Sequence, residues 1–442
     1  MTIRMDEGAA ELLDTLHRAG YAAYVVGGCV RDSLLGLTPH DWDLCTSALP
    51  QQGMELFGEE KCIPTGLQHG TVTVKQGGGL YEITTFRTEG AYTDGRHPDE
   101  VHFVPDVRED LARRDFTINA MAYNEKEGLI DPFGGQADLQ SGILRAVGVP
   151  RQRFTEDALR ILRLYRFAAR FGFAIDPPTA QAAQELCAHL DCVSVERIEE
   201  ELAKLLTAPA PAAYLDEKIL GVVLPELSPE ALAAAKPVVD ACPAGEQALP
   251  VRLAALLLSL GEDGTRRTLR RLRCSNACIE ETAVLVREVV SGVPGAFSSD
   301  TNRAIPSPAL LPSATGSHPS GRSSEKLPAR PPVSLNIYTR KLLGQYGLKT
   351  VQRLAALGTA LQPEHAADFA ALSELTERLD ADGVCCRVSQ LAVNGRDLMA
   401  AGIPAGPGIR KVLEALLDGV IREEYPNERQ ALLAAVQQLA AS

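Results

Sequence analysis

No stretch of this 442-residue chain approaches the ~18 consecutive apolar residues of a membrane span, and its first residues lack the basic-then-apolar order of a secretory signal. Those two absences predict a cytoplasmic protein with no membrane partner. The ten cysteines lack the short, exported context in which a disulfide framework is read. Cys274 and Cys278 lie four apart and Cys385 and Cys386 are adjacent. The paired Cys-x-x-Cys or histidine spacing of a zinc site is therefore missing too, and the cysteines read as plain thiols. No Gly-x-x-x-x-Gly-Lys-Ser/Thr occurs, which excludes a Walker-type phosphate loop. Positive charge is also short. Lys and Arg number 44 against 57 Asp and Glu, a net charge of −13, which by itself argues against a nucleic-acid partner.

What is present is more specific. The chain is 45% hydrophobic and 23% charged, as a soluble globular protein is, and its length predicts two to four domains of about 100–200 residues each. The positive charge is concentrated. Residues 151–170 hold six arginines against two acids, Glu156 and Asp157, a local stripe able to meet phosphates. Residues 1–20 read as an amphipathic helix with Leu12, Leu13 and Leu16 on one side. Strands are predicted at 21–26, 41–45, 71–74, 81–86 and 101–104, with a helix over 29–35 closed by Gly36. From about Leu144 onward, Ala, Leu, Glu and Arg dominate and predict helix throughout, with a helix start at Thr155. Residues 292–334 are rich in Ser, Pro, Gly and Thr. Such composition buries too little apolar area to offset the entropy of ordering, and predicts a disordered insertion.

The strongest local signal is Gly27-Gly28-Cys29-Val30-Arg31-Asp32 followed by His40-Asp41-Trp42-Asp43-Leu44. On a strand, residues two apart share a face, so Asp41 and Asp43 present paired carboxylates. Such a pair repels itself unless a cation intervenes, and hard oxygen ligands suit Mg²⁺, which uses one or two carboxylates plus substrate phosphates. Two such ions about 4 Å apart can activate a 3′ hydroxyl and stabilise a leaving pyrophosphate. The glycine pair lets backbone approach a ligand at a strand end, and Gly28 and Arg31 in the following helical turn are placed to meet phosphate. His40-Asp41 could belong to a phosphohydrolase, but the outlying histidine and aspartate such a site needs are not evident.

Gly-Gly-x-Val-Arg-Asp-x-Leu-Leu-Gly with Asp-Trp-Asp resembles the signature of the class II tRNA nucleotidyltransferases and bacterial poly(A) polymerases. The resemblance continues through Thr65-Gly66-Leu67-Gln68-His69-Gly70, Glu82-Ile83-Thr84-Thr85-Phe86-Arg87 and Arg113-Arg114-Asp115-Phe116-Thr117-Ile118-Asn119. It covers nearly the whole chain apart from the Ser/Pro-rich stretch. It implies an α+β fold: a polymerase-β-like nucleotidyltransferase head with a mixed sheet, then an all-α neck, body and tail. The expected boundaries are 1–143 for the catalytic head, 144–206 for the nucleotide-selecting neck and 207–291 for the body. The insertion (292–334) and a tRNA-binding tail (335–442) follow. Asp41 and Asp43 become the catalytic, metal-holding pair. Glu82 is a candidate third carboxylate, equally readable as an exposed edge residue.

The neck segment Glu156-Asp157-Ala158-Leu159-Arg160-Ile161-Leu162-Arg163-Leu164-Tyr165-Arg166 predicts Asp157, Arg160, Arg163 and Arg166 along one helix face. The resemblance implies that Asp157 and Arg160 read the base. Cytosine and adenine each offer an amino donor beside a ring-nitrogen acceptor, which suits a carboxylate beside a guanidinium; uracil and guanine present the reverse order. By the same resemblance Arg163 and Arg166 support that pair or contact phosphate, Arg114 contacts the incoming nucleotide, and Asp115 lies near its ribose.

The segment Thr88-Glu89-Gly90-Ala91-Tyr92-Thr93-Asp94-Gly95-Arg96-His97-Pro98 resembles the flexible loop of enzymes that add C, C and A, which enzymes adding only two cytidines lack or shorten. The Gly-Arg-Arg-Phe-like stretch of Gram-negative poly(A) polymerases is absent. The tail segment Val393-Asn394-Gly395-Arg396-Asp397-Leu398-Met399 resembles the part that grips the tRNA elbow. The expectation is therefore template-independent addition of C, C and A to the 3′ end of tRNA, with Mg²⁺ as cofactor and CTP, ATP and tRNA as partners. Poly(A) or CC-only addition and a non-catalytic RNA-binding role stand as alternatives. Monomer and homodimer both remain open.

Overall fold

A computed structural model describes residues 3–90, 101–290 and 335–439. The expected flexible loop (from 91 on) and the expected insertion at 292–334 lie outside the described residues. The chain divides into two compact units, Met1–Ser228 and Pro229–Ser442.

The first unit opens with helix α1 (Glu7–Arg18), capped by the Asp6 carboxylate on the N–H groups of Gly8 and Ala9. Leu12, Leu13 and Leu16 are buried, as their spacing predicts. A seven-stranded mixed sheet follows. Its strands are β1 (Ala23–Val26), β2 (Leu44–Thr46), β3 (Cys62–Gly66), β4 (Thr71–Gln76) and β5 (Gly79–Thr85). A separate hairpin pairs β6 (Arg87–Glu89) with β7 (Val101–Phe103). The main sheet resumes with β8 (Ala122–Asn124) and β9 (Gly128–Ile130), in the order β3-β4-β5-β2-β1-β8-β9. Every neighbour pair is antiparallel except β2 with β5.

The central strands β1 and β2 are buried at every position. They read as short continuous apolar runs because both faces are covered. Strand β5, nearer the edge, alternates instead. Tyr24, Val26, Cys45, Phe86, Leu111 and Ala122 meet in one apolar cluster.

Two sequence expectations change. The strand predicted at 101–104 leaves the main sheet for the hairpin, and β3, β8 and β9 were not foreseen. β8 and β9, at three residues each, carry too little periodicity to be seen, and the five-residue β3 contains Pro64 and a register shift between Ile63 and Gly66.

Helix follows, interrupted by a small parallel pair, β10 (Ile143–Leu144) with β11 (Ala174–Ile175). The helices that matter for the site are α2 (Gly28–Leu34), α3 (Val107–Ala112), α4 (Pro150–Glu156), α5 (Leu159–Phe171) and α6 (Val195–Leu206). The helix start expected at Thr155 is corrected, since Thr155 sits in the last turn of α4. The backbone is extended at Asp157 (φ −143°, ψ 104°). The Asp157 carboxylate then accepts the Leu159 N–H at 3.0 Å, opening α5. The second unit is helical throughout its described residues. No helix of the described residues is long and apolar enough to cross a membrane.

Candidate active site

The acidic pair precedes its strand rather than lying in it. The predicted strand at 41–45 is regular only from Leu44, but its ladder reaches one residue further, because the Asp43 carbonyl accepts the Val26 N–H at 2.9 Å. Trp42 is 9% exposed while Asp41 and Asp43 are both exposed. A buried indole between two open carboxylates sets the alternation the sequence predicts. The parallel register pairs Leu44 with Ile83, so one step back brings Glu82, exposed on β5, level with Asp43. Although accessible, Asp43 is surrounded by protein. That desolvation raises its carboxyl above the ordinary value; Glu82 and Asp41 push the same way and Arg114 opposes them. Among the described residues, no three His, Cys, Asp or Glu side chains converge as a preformed metal cage. A few open carboxylates that repel one another still fit a hard divalent cation completed by substrate oxygens.

Behind the pair, Gly27 has φ 78° and ψ −123°, a conformation that favours glycine, and starts α2. A Cβ there would stand 3.1 Å from Arg114 Nη1, so the glycine also admits that guanidinium. Gly28 follows as the first residue of α2 and is partly open. Arg31 is only 4% exposed. Its guanidinium donates to Asp32 at 2.7 Å and Asn119 at 2.6 Å and lies over the rings of Phe167 and Phe171. In this state it reaches a phosphate only by exchanging one of these partners.

Arg114 is held from below by Asp110, a carboxylate with 0% exposure. Asp110 accepts from Arg114 at 3.2 Å, from Arg113 at 2.8 and 3.0 Å, and from the Arg87 N–H at 3.3 Å. Burial alone would raise this carboxyl; Arg114 and Arg113 more than offset it and hold it below the ordinary value. Such a group stabilises the fold above the ordinary carboxylate range and loses that contribution as pH falls. Asp110→Asn should therefore destabilise the first unit by roughly 3–5 kcal/mol at neutral pH, because two guanidiniums lose their counter-charge. Trp42 is the single tryptophan of the chain, so urea unfolding followed by its fluorescence reports on this unit. The gap between variant and parent should narrow as pH drops toward 3, on the order of the ordinary Asp value. A gap independent of pH would refute the role of the charge.

In the neck, the extended backbone at Asp157 undoes the expected Asp157–Arg160 neighbour pair. Arg160 turns to Glu156 (2.7 Å) and to the carbonyls of Arg153 (3.2 Å) and Arg113 (3.0 Å). Asp157 instead accepts from Arg197 at 2.7 Å. Arg163 makes a two-pronged pair with Asp115, at 2.9 and 2.6 Å. Burial would raise Asp115, but Arg163, Asn119 and Arg160 hold it far below the ordinary range. Arg166 pairs with Glu201 at 2.7 Å; burial brings it down to about 10 against that carboxylate's pull. Arg163 thus ties the neck helix to Asp115, beside Arg114. Arg31, Arg163 and Arg166 lie along one connected set of contacts through Asn119, Asp115 and Glu201, and Arg114 and Arg160 are joined to each other through Asp110 and Arg113.

Sequence reasoning missed Asp110, Arg197 and Glu201. Asp110 was legible in principle, three and four residues before two arginines on a helix. Arg197 and Glu201 carry no local signal, since their partners lie some 40 residues away in sequence.

A mixed sheet with open carboxylates at one strand, a glycine turn and an arginine-lined helix behind it defines a nucleotidyltransferase head and neck. Residues 23–145 match the family model of the Poly A polymerase head domain, and residues 337–436 match that of tRNA nucleotidyltransferase domain 2. The chain is 35% identical to a CCA-adding enzyme of Lactiplantibacillus plantarum, over 97% of this chain and 95% of that one. It is also similar to the crystal structure of the Bacillus stearothermophilus CCA-adding enzyme in complex with CTP. There the TM-score is 0.78 at 31% identity, covering 99% of this chain and 98% of the other. The Thermotoga maritima CCA-adding enzyme complexed with tRNA shares the fold, at TM-score 0.64 and 21% identity. The chain belongs to the CCA-adding enzymes, a family of tRNA nucleotidyltransferases whose polymerase heads use a divalent metal.

Proposed function

We infer that this protein adds C, C and A, without a template, to the 3′ end of tRNA, using CTP and ATP and releasing pyrophosphate. The observation that carries the reading is full-length likeness to CCA-adding enzymes together with exposed Asp43 and Glu82 level on neighbouring strands of the head sheet and exposed Asp41 two residues ahead of Asp43. In the site we propose, Asp41 and Asp43 hold Mg²⁺, with Glu82 as third carboxylate. The bound ion would lower the barrier to attack by the terminal hydroxyl and neutralise the leaving pyrophosphate.

The chain's own residues do the rest. Gly28 lets the nucleotide's phosphates come close to the α2 backbone, with Arg31 and Arg114 supplying positive charge. Asp157 accepts the amino group that cytosine and adenine share, and Arg160 donates to the neighbouring ring nitrogen. Arg163 holds that reading edge to the head through Asp115, and Arg166 holds it to α6 through Glu201. Head, neck, body and tail with the boundaries given above remain our proposed division; the first compact unit runs to Ser228.

Incubation with Mg²⁺, a tRNA lacking its last three nucleotides and each nucleoside triphosphate tests the reading. Two C and then one A are expected. A long A tract would make it a poly(A) polymerase, two C and a halt a partial enzyme, and no incorporation an RNA-binding protein.

A further inference from the structure

Helix α6 follows the helix that carries Arg160, Arg163 and Arg166 by some 24 residues. It presents Arg197 and Glu201, one turn apart and opposite in sign, to the break and helix that carry Asp157, Arg163 and Arg166. Each meets its complement. Arg197 Nη2 donates to Asp157 Oδ2 at 2.7 Å. Glu201, 5% exposed, pairs with Arg166 at 2.7 Å and approaches Arg163 at 3.7 Å.

We propose that Arg197 is a positioning residue for base choice, which fixes the Asp157 carboxylate as an oriented acceptor for the amino group of cytosine or adenine. This rests on the reading of Asp157 given above.

The geometry supports the role in three ways. Both Asp157 oxygens are engaged, Oδ1 by the Leu159 N–H at 3.0 Å and Oδ2 by Arg197. A carboxylate tied at both oxygens cannot turn its plane, yet each oxygen keeps a second lone pair for a ligand. Arg160 does not supply this restraint, because it is engaged with Glu156 and two backbone carbonyls. Glu201 pairs with Arg163 and Arg166, so the neighbouring guanidiniums have a counter-charge of their own and do not draw Asp157 away. Without Arg197, the carboxylate would be free to rotate out of the plane of the base edge. A rotated carboxylate no longer forces a fixed acceptor against the carbonyl of uracil or guanine, so those bases are rejected less strongly.

The test is the ratio of kcat/KM for CTP over UTP on full-length protein, with tRNA lacking its last three nucleotides. Arg197→Gln should lower that ratio about tenfold or more, chiefly by raising UTP use. Adding Arg197→Gln to Asp157→Ala should change the ratio no further, because the two act through one contact. Equal loss of CTP and UTP turnover in folded Arg197→Gln would mean a merely structural role and overturn the proposal, as would an unchanged ratio. If Asp157→Ala by itself leaves the ratio intact, the base-reading assignment fails, not only this one. Should Arg197→Gln not fold, Arg197→Lys decides. A point charge on a flexible stem cannot hold a planar orientation, so at least about a threefold fall in the ratio is expected. No fall overturns the proposal.

Discussion

Asp43→Ala should reduce nucleotide transfer by at least about a thousandfold, equivalent to roughly 4 kcal/mol of lost transition-state stabilisation. By register Glu82 stands level with Asp43, and Asp41 lies two residues ahead of it with the buried Trp42 between. Removing Asp43 takes away the carboxylate proposed to share the cation with Asp41. The fold should not suffer. Asp43 is exposed, and surroundings that raise its carboxyl disfavour its charge in the folded, metal-free chain. A raised carboxyl contributes stability below its ordinary value and loses it as pH rises, so the ionised group is a burden at neutral pH. The alanine variant should therefore melt no lower than its parent in the presence of chelator and bind tRNA as well. Turnover above about one per cent of the parent's would remove Asp43 from the metal site.

Arg160→Ala is expected to give the second large effect, on choice rather than on rate alone. A base whose polar edge meets no partner in a closed site loses about 1–3 kcal/mol per group. The parent rejects U and G by that mechanism, so the variant should incorporate them on the order of ten to a hundred times more readily relative to C. Arg160 also braces the α4–α5 break through Glu156 and the carbonyls of Arg153 and Arg113. Some fall in kcat with CTP is therefore expected alongside. Arg160→Lys keeps the charge but not the fork, and should sit between parent and alanine variant. Primer extension with single nucleotides reads both effects. Unchanged selection against U and G would dissociate Arg160 from base reading.

These expectations also show where local sequence stops being informative. Leu12, Leu13 and Leu16, and the alternation around Trp42, were legible because helical and strand periodicity survive in a single segment. The break at Asp157 was not. Thr155-Glu156-Asp157 before an apolar run reads as a helix start, yet α4 already runs through Thr155. Pro150 at its head was the available signal for a helix beginning earlier. Moving the start by a few residues swings Asp157 from Arg160 to Arg197.

The chain's own order of residues determined which chemical groups exist and which of them share a short element. It supplied paired carboxylates around a buried indole, a glycine turn ahead of a short helix, and a row of arginines on an apolar-backed helix. Tertiary structure alone decided who faces whom. Glu82 comes level with Asp43 only through a parallel pairing of β2 with β5, and Arg163 meets Asp115 across 48 positions. Periodicity acts over a few residues, whereas charges brought together by folding interact through space whatever their separation along the chain.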